Sequence, residues 1–116
     1  MVADGDVVVV YCRLVDPPHD KIAVCFSSEH NLYFFINSQA RRPPEAQVFV
    51  RENELDCLSH DSYIDTGFPI TFDDTEMTSL RNRGQVSDEI KAQVKVAVKD
   101  HGLLIEYHRK MVETNL

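Results

Sequence analysis

The sequence predicts a small, mostly β fold of the α+β class, closed by one or two C-terminal helices. Before residue 73, short apolar segments alternate with turn-forming residues, and no segment long enough for a crossover helix separates them. This pattern favours antiparallel strands in a barrel or a sandwich. Beyond residue 86, apolar residues recur at helical spacing. We therefore expect one domain over 1–116, with barrel strands and loops over 1–85 and a helical closing segment over 86–116.

The first strand is predicted over Asp6–Cys12, where β-branched residues form a nearly continuous run that is typical of a strand covered on both faces. The segment 16–20, which contains two adjacent prolines, cannot continue a strand ladder and is expected to be a surface loop. Three further strands are predicted over 22–26, 32–36 and Gln47–Val50. Residues 63–65 and 69–72 suggest two more short strands around a polar bend.

A helix is predicted to begin after Ser87, whose side chain can cap the first turn and which two acidic residues follow. Ile90, Val94 and Val98 then recur at helical spacing and are expected in the core. Gly102 is expected to end this helix. The apolar stripe that continues beyond it predicts a second helix, set at an angle to the first.

Twelve basic and nineteen acidic side chains give a formal net charge of −7. A molecule of this charge repels polyanions unless its cations are gathered on one face, so general affinity for nucleic acid is not predicted. The cations of the N-terminal half leave a local phosphate-binding patch open as a hypothesis. They are Arg13, Lys21, Arg41, Arg42 and Arg51.

No apolar run approaches the ~20 residues that cross a bilayer, and acidic residues stand where a secretory signal carries basic ones. We therefore expect no membrane partner and a cytoplasmic location. Cys12, Cys25 and Cys57 are widely spaced in apolar surroundings, as expected of small buried side chains rather than of a disulfide framework.

The common enzyme motifs are missing from the sequence, among them the Gly-rich phosphate loop, Cys-x-x-Cys and His-Glu-x-x-His. The five histidines are never closely spaced, so neither a metal site nor a cofactor is expected. Residues 60–65 form the densest polar cluster, in which His60 beside Asp61 suggests an oriented general base. The alternative is that this segment supplies hydrogen bonds to a strand bend.

Lys21 and Ser38 stand where loops meet apolar strands, and phosphoryl chemistry needs a cation and a hydroxyl of this kind. A solvated strand-end charge and a turn hydroxyl are the alternative interpretations. Arg41 and Arg42 are candidate phosphate contacts, although adjacent arginines are also ordinary in solvated loops.

Five segments, in order, resemble the PemK/MazF toxins. Gly-Asp-Val-Val-Val-Val at 5–10 resembles the family's opening Gly-Asp-Ile-Val strand, and Lys-Ile-Ala-Val-Cys-Phe-Ser at 21–27 resembles its Arg-Pro-Ala-Val-Val-Leu-Ser. Asn-Ser-Gln at 37–39 falls where the family has Thr-Thr-Gln or Thr-Ser. The segment 60–65 resembles its late Ala-Asp-Gln-Val, and 86–90 resembles the start of its closing helix.

The resemblance implies an SH3-like barrel, a homodimer and metal-independent cleavage of single-stranded RNA, in which a ribose 2′-hydroxyl attacks its own phosphate. It also implies an antitoxin protein as partner. The family's catalytic Arg maps to Lys21 and its catalytic Thr or Ser maps to Ser38. Arg41 and Arg42 are then candidate RNA contacts, with His60 and Asp61 as helpers.

Two other hypotheses stay open. Lys21 replaces an Arg that the family follows with Pro, and a lysine cannot reproduce the bidentate contact of an arginine with a phosphate. This change favours a catalytically inactive module that binds a protein partner. A nucleic-acid-binding barrel without catalysis would need exposed aromatic residues along a cationic groove, whereas Tyr33, Phe34 and Phe35 are expected in the core.

Overall fold

A computed structural model describes residues 2–13 and 15–116. Over these residues the strands are β1 (Asp6–Cys12), β2 (His19–Ser27), β3 (Leu32–Asn37), β4 (Gln47–Val50), β5 (Ser62–Ile70) and β6 (Arg81–Gln85). The helices are α1 (Asp74–Thr78), α2 (Asp88–His101) and α3 (Glu106–Asn115), and single 3₁₀ turns lie at Pro44–Ala46 and Glu52–Glu54.

The six strands form one antiparallel sheet in the order β4-β5-β3-β2-β1-β6. The mostly β class with C-terminal helices is thus confirmed. The order follows the chain from β1 to β3, and β4 and β6 are the outermost strands of the described sheet. The predicted bounds of β1 and β4 are confirmed, whereas β2 begins earlier than predicted, at His19.

Side chains that alternate along the central strands build two cores on opposite faces of the sheet. The larger core contains Val7, Val24 and Phe34, and α2 and α3 cover it with Val94 and Met111 among other residues. Phe26 and Phe34 stack inside it, with ring centroids 4.3 Å apart.

The smaller core on the other face contains Val8, Ala23 and Tyr33. Phe72 packs on Tyr33, and the centroids of the two rings are 4.8 Å apart. Met77 of the short helix α1 adds to this cover. Cys25 is buried here too, and its burial raises the pKa of the thiol to about 12. Cys12 is also buried, as the sequence predicts, whereas Cys57 is only half-buried.

The helices at the C-terminal end are confirmed. Ser87 caps α2 by accepting a hydrogen bond from the Ile90 N–H at 3.2 Å, and Gly102 ends the helix with a φ of 62°. Ile90, Val94 and Val98 are buried, and α3 is the second helix expected beyond Gly102. No helix within 2–13 and 15–116 has the length and apolar character needed to cross a membrane.

The two short strands expected at 63–65 and 69–72 are instead one strand, β5. Gly67 lies at a crowded point of this strand, because a Cβ atom there would lie 3.1 Å from the Ala46 Cβ and 3.2 Å from the Leu103 Cδ1. β5 is irregular where it pairs with β3, because the pairing register shifts between Phe34 and Ile36.

All five residues of β6 are exposed, and polar side chains attach this strand to the sheet. The carboxylate of Asp6 is buried and accepts hydrogen bonds from Asn82 Nδ2 at 2.6 Å and Gln85 Nε2 at 2.8 Å, both from β6. It also accepts one from the Ala3 N–H at 2.8 Å. Burial alone would raise the pKa of Asp6, but these hydrogen bonds lower it below its ordinary value of 3.8.

Replacing Asp6 with Asn is expected to destabilise the fold by about 1–3 kcal/mol at neutral pH, because the new NH₂ group replaces one of the two accepting oxygens and so places a donor against a donor. A carboxylate whose pKa is lowered in the folded state stabilises the fold above its unfolded pKa. That stabilisation is lost as the pH falls through the folded pKa. Urea unfolding at pH 7 and pH 3 should therefore show a difference between wild type and Asp6→Asn that shrinks in acid.

Asp20→Asn is the matched control, because Asp20 also contacts β6, through a 2.7 Å ion pair with Arg81. Both side chains of this pair are more than half exposed, so its loss should cost less than about 1 kcal/mol. Equal effects of the two substitutions at pH 7 would contradict the role given to Asp6.

Candidate functional site

Lys21 lies on β2 at the end of the smaller core. Its ammonium group donates a hydrogen bond to Asn37 Oδ1 at 2.7 Å and lies 4.9 Å from the centroid of the Phe35 ring. The side chain is half-buried. Burial, and to a lesser extent the positive charge of Arg41, lowers the pKa of Lys21. The chain thus holds a partly desolvated cation at the mouth of two depressions.

The first depression, which we call the polar depression, has a volume of about 650 Å³. His19, Lys21, Asn37, Ser38 and Arg41 are among its lining residues. Asp16 also lines it, so the depression is cationic but contains one carboxylate. A hydroxyl, an imidazole, an ammonium and a guanidinium group therefore surround one space.

The second, which we call the aromatic depression, has a volume of about 490 Å³ and shares Lys21, Asn37 and Arg41 with the first. Its other walls include Phe35, Arg42, Pro43, Asp65 and Phe68. The Phe68 side chain is 68% exposed, the largest exposure among the large apolar side chains of the described residues. This surface therefore places exposed aromatic area beside two arginines.

Asp65 and Gln47 tether the loop that carries Arg41 to the sheet. Gln47 Oε1 accepts a hydrogen bond from the Arg41 N–H at 3.1 Å, and Gln47 Nε2 donates to Asp65 Oδ1 at 3.1 Å. The same Asp65 oxygen accepts from the Gly67 N–H at 3.2 Å. Because Gln47 and Asp65 are paired across β4 and β5, regular strands fix this tether.

Four of the residues singled out in the sequence are thus brought together. Lys21, Ser38 and Arg41 line the polar depression, and Arg42 lines the aromatic one. Ser38 is exposed and directly follows the last residue of β3. Its hydroxyl is therefore accessible to a bound molecule, and Asn37, rather than Ser38, holds the Lys21 ammonium group.

His60 and Asp61 lie elsewhere. Asp61 Oδ1 accepts a hydrogen bond from the Glu52 N–H at 2.9 Å, and His60 Nδ1 is 3.0 Å from Ser59 Oγ. Neither residue is among those that line the polar or the aromatic depression. Their contacts are those of a polar bend before β5, which was the alternative interpretation of this segment.

Three residues that line the two depressions were not predicted from the sequence to belong to the site. His19 was placed in a loop, but it lies on β2 two residues before Lys21, and residues two apart in a strand share a face. The same rule puts Asn37 beside Phe35 on β3. Phe68 gave no signal, because a single Phe between Gly and Pro fits a turn as well as a strand.

No cluster of three or more His, Cys, Asp or Glu side chains suited to a metal ion occurs in the described part of the chain. The cations and hydrogen-bond donors of the two depressions suit an anion such as a phosphodiester. No protein-family model matches the sequence, and no curated protein matches it. The chemistry of the two depressions is therefore the basis for proposing a function.

Arg41→Gln is expected to raise the pKa of Lys21, because the substitution removes a positive charge that disfavours the protonated ammonium group. The pKa can be followed by NMR titration of the Lys21 side-chain Cε resonance. Arg51→Gln is the matched control, since Arg51 is exposed and lines a different depression. An unchanged Lys21 pKa in Arg41→Gln would mean that the two cations do not interact.

Proposed function

We propose that this protein is a metal-independent endoribonuclease that cleaves single-stranded RNA, with a mechanism like that of the PemK/MazF toxins it resembles. One observation carries the proposal: Lys21, Ser38, Arg41 and His19 line the same depression. Imidazole and ammonium groups can transfer protons, and cations and hydroxyl groups can stabilise charge on a phosphate, so this set can cleave RNA without a metal ion.

The cations would bind the scissile phosphate and stabilise the charge that develops on it. Lys21 is already held in position by Asn37, so little reorganisation is needed when the phosphate enters. Its lowered pKa also makes the ammonium group a stronger hydrogen-bond and proton donor than an exposed lysine. Arg41 contributes a second charge from a tethered loop.

Cleavage needs one group that removes a proton and one that supplies it. The ribose 2′-oxygen bonds to phosphorus, the bond from phosphorus to the 5′-oxygen breaks, and a 2′,3′-cyclic phosphate and a 5′-hydroxyl result. His19 suits the removal of the 2′-proton, because its Nδ1 lies 2.7 Å from the Pro17 carbonyl oxygen, which can only accept a hydrogen bond, and Nε2 is therefore the nitrogen that can take a proton. Lys21 suits the other role, in which its ammonium group donates a proton to the departing 5′-oxygen. The Ser38 hydroxyl positions a phosphate oxygen.

The aromatic depression would hold a nucleobase next to the scissile phosphate. Phe68 is exposed and Phe35 is half-buried, and aromatic faces of this kind stack on unpaired bases. A base can lie on them only when it is unstacked from its neighbours, which favours single-stranded over double-stranded RNA. Arg42 and Pro43 border the same space. A homodimer, an antitoxin partner and a cytoplasmic location, which the resemblance and the composition suggest, stay predictions.

The purified protein is expected to cleave a mixed-sequence single-stranded RNA in EDTA and to leave 2′,3′-cyclic phosphate ends. Lys21→Ala should lower the cleavage rate by ~10²–10³-fold, as for loss of a charge-stabilising donor. His19→Ala should lower it by ~10²–10⁴-fold, as for loss of a general base. Ser38→Ala should also slow cleavage. Rates are measured on end-labelled oligonucleotides.

Lys99→Ala is the control variant, because Lys99 is exposed on α2 and lines neither depression. Replacing the 2′-hydroxyl at a cleavage site with hydrogen should abolish cleavage there without abolishing binding. Full cleavage by both Lys21→Ala and His19→Ala would overturn the site assignment. If the unmodified protein does not cleave RNA at all, the inactive binding module replaces the enzyme as the leading hypothesis.

Phe68→Ala is expected to weaken binding of single-stranded RNA by about 1–3 kcal/mol, the usual loss when one base-stacking ring is removed. Binding is measured by fluorescence anisotropy with the 2′-deoxy-substituted oligonucleotide, at several salt concentrations, because contacts with phosphates weaken as salt rises. Phe49→Ala is the matched control, since Phe49 is 45% exposed and lies outside both depressions. Equal losses in the two variants would contradict stacking at Phe68.

A further inference from the structure

β4 is an outermost strand of the sheet, and in the described part of the chain it pairs only with β5. An outermost strand exposes a row of backbone N–H and C=O groups that a further strand can pair with. β4 has neither a proline nor a lysine to hinder such pairing, since its sequence is Gln-Val-Phe-Val. The edge is therefore chemically open to strand addition.

A groove of about 610 Å³ runs between β4 and the side of α2. Its walls are mainly apolar and come from Val48 and Phe49 of β4 and from Ala92, Val96 and Ala97 of α2. Phe49 is 45% exposed and Val96 is 59% exposed, whereas Val48 belongs to the larger core and Ala97 packs against it. An apolar surface therefore continues from the core to the free edge of the sheet.

Acidic side chains border this apolar surface. Glu45 and Asp100 line the groove, and Glu54 and Glu89 line the depression that adjoins it at Phe49 and Gln93. The only cation among the residues that line the two spaces is Arg51. The lysines of α2 are absent from both sets, and Lys91 instead donates a hydrogen bond to Gln85 Oε1 at 3.1 Å.

We propose that this groove binds an extended segment of a partner protein in which apolar residues alternate with lysine or arginine. The segment would add to the sheet beside β4, and backbone hydrogen bonds to the open edge would hold it. Because side chains alternate along a strand, apolar ones would fit between Val96 and Val48 while basic ones reach the acidic border. The site is separate from the two depressions and does not depend on RNA cleavage.

The charge distribution favours such a partner over a second copy of this chain. A symmetric pairing of two β4 edges would bring the same acidic borders together, on molecules that each carry a net charge of −7. A basic segment instead gains attraction from every one of these carboxylates. The groove therefore favours a strand in which basic and apolar residues alternate.

NMR titration of the ¹⁵N-labelled protein tests the proposal, with the end-blocked peptide Lys-Val-Lys-Val-Lys-Val as the probe. The peptide should shift the amide resonances of Val48, Phe49 and Val96, and nuclear Overhauser effects should join its backbone protons to those of β4. Binding should weaken as salt rises. The peptide Glu-Val-Glu-Val-Glu-Val should bind at least about tenfold more weakly.

Val96→Lys should weaken binding of the basic peptide by at least about tenfold, because it adds a cation and removes apolar surface from the groove. Ile105→Lys is the matched control, since Ile105 is 62% exposed and lies outside the groove. Equal loss in the two variants, equal affinity for the two peptides, or shifts confined to other residues would overturn the proposal. So would a dimer in sedimentation that Val96→Lys dissociates, which would make a second copy the occupant.

Discussion

The rest of the structure depends on the burial of both faces of the central strands β1, β2 and β3. A sheet that is apolar on both faces needs two covers, and here the covers differ in size. Helices α2 and α3 cover one face, whereas Phe72 and the short helix α1 cover only part of the other. The site lies where this smaller cover ends, which is why Lys21 is partly desolvated and still reaches solvent.

Strand pairing places most of the site. Ile22 is paired with Ile36, so the next residues outward, Lys21 and Asn37, are neighbours on the face opposite α2. Residues on regular strands are positioned more accurately than residues on loops, and here the loop that carries Arg41 is tethered to β4 and β5. Lys21 and the loop that carries Arg41 are therefore held in position before any ligand binds.

The sequence was sufficient to predict those elements whose burial leaves a pattern of apolar residues along the chain. The β-branched run of β1 and the helical spacing in α2 both reflect contact with the core, and both were predicted. β6 could not be predicted, since all five of its residues are exposed and Asp6 attaches it through side-chain hydrogen bonds. α1 depends on the buried carboxylate of Glu76, which accepts a hydrogen bond from the distant Arg13 N–H at 3.1 Å. In the site, only the resemblance suggested that Ser38 lies near Lys21. The position of Phe68 could not be predicted, because it depends on the path of β5.

Gln47 connects the two proposed binding surfaces. It lines the groove beside β4, and its side chain also holds the Arg41 loop and Asp65 on the other side of the strand. The two proposed surfaces therefore share one residue: the strand that presents its free backbone edge at the groove also fixes, through the Gln47 amide, the loop at the other site.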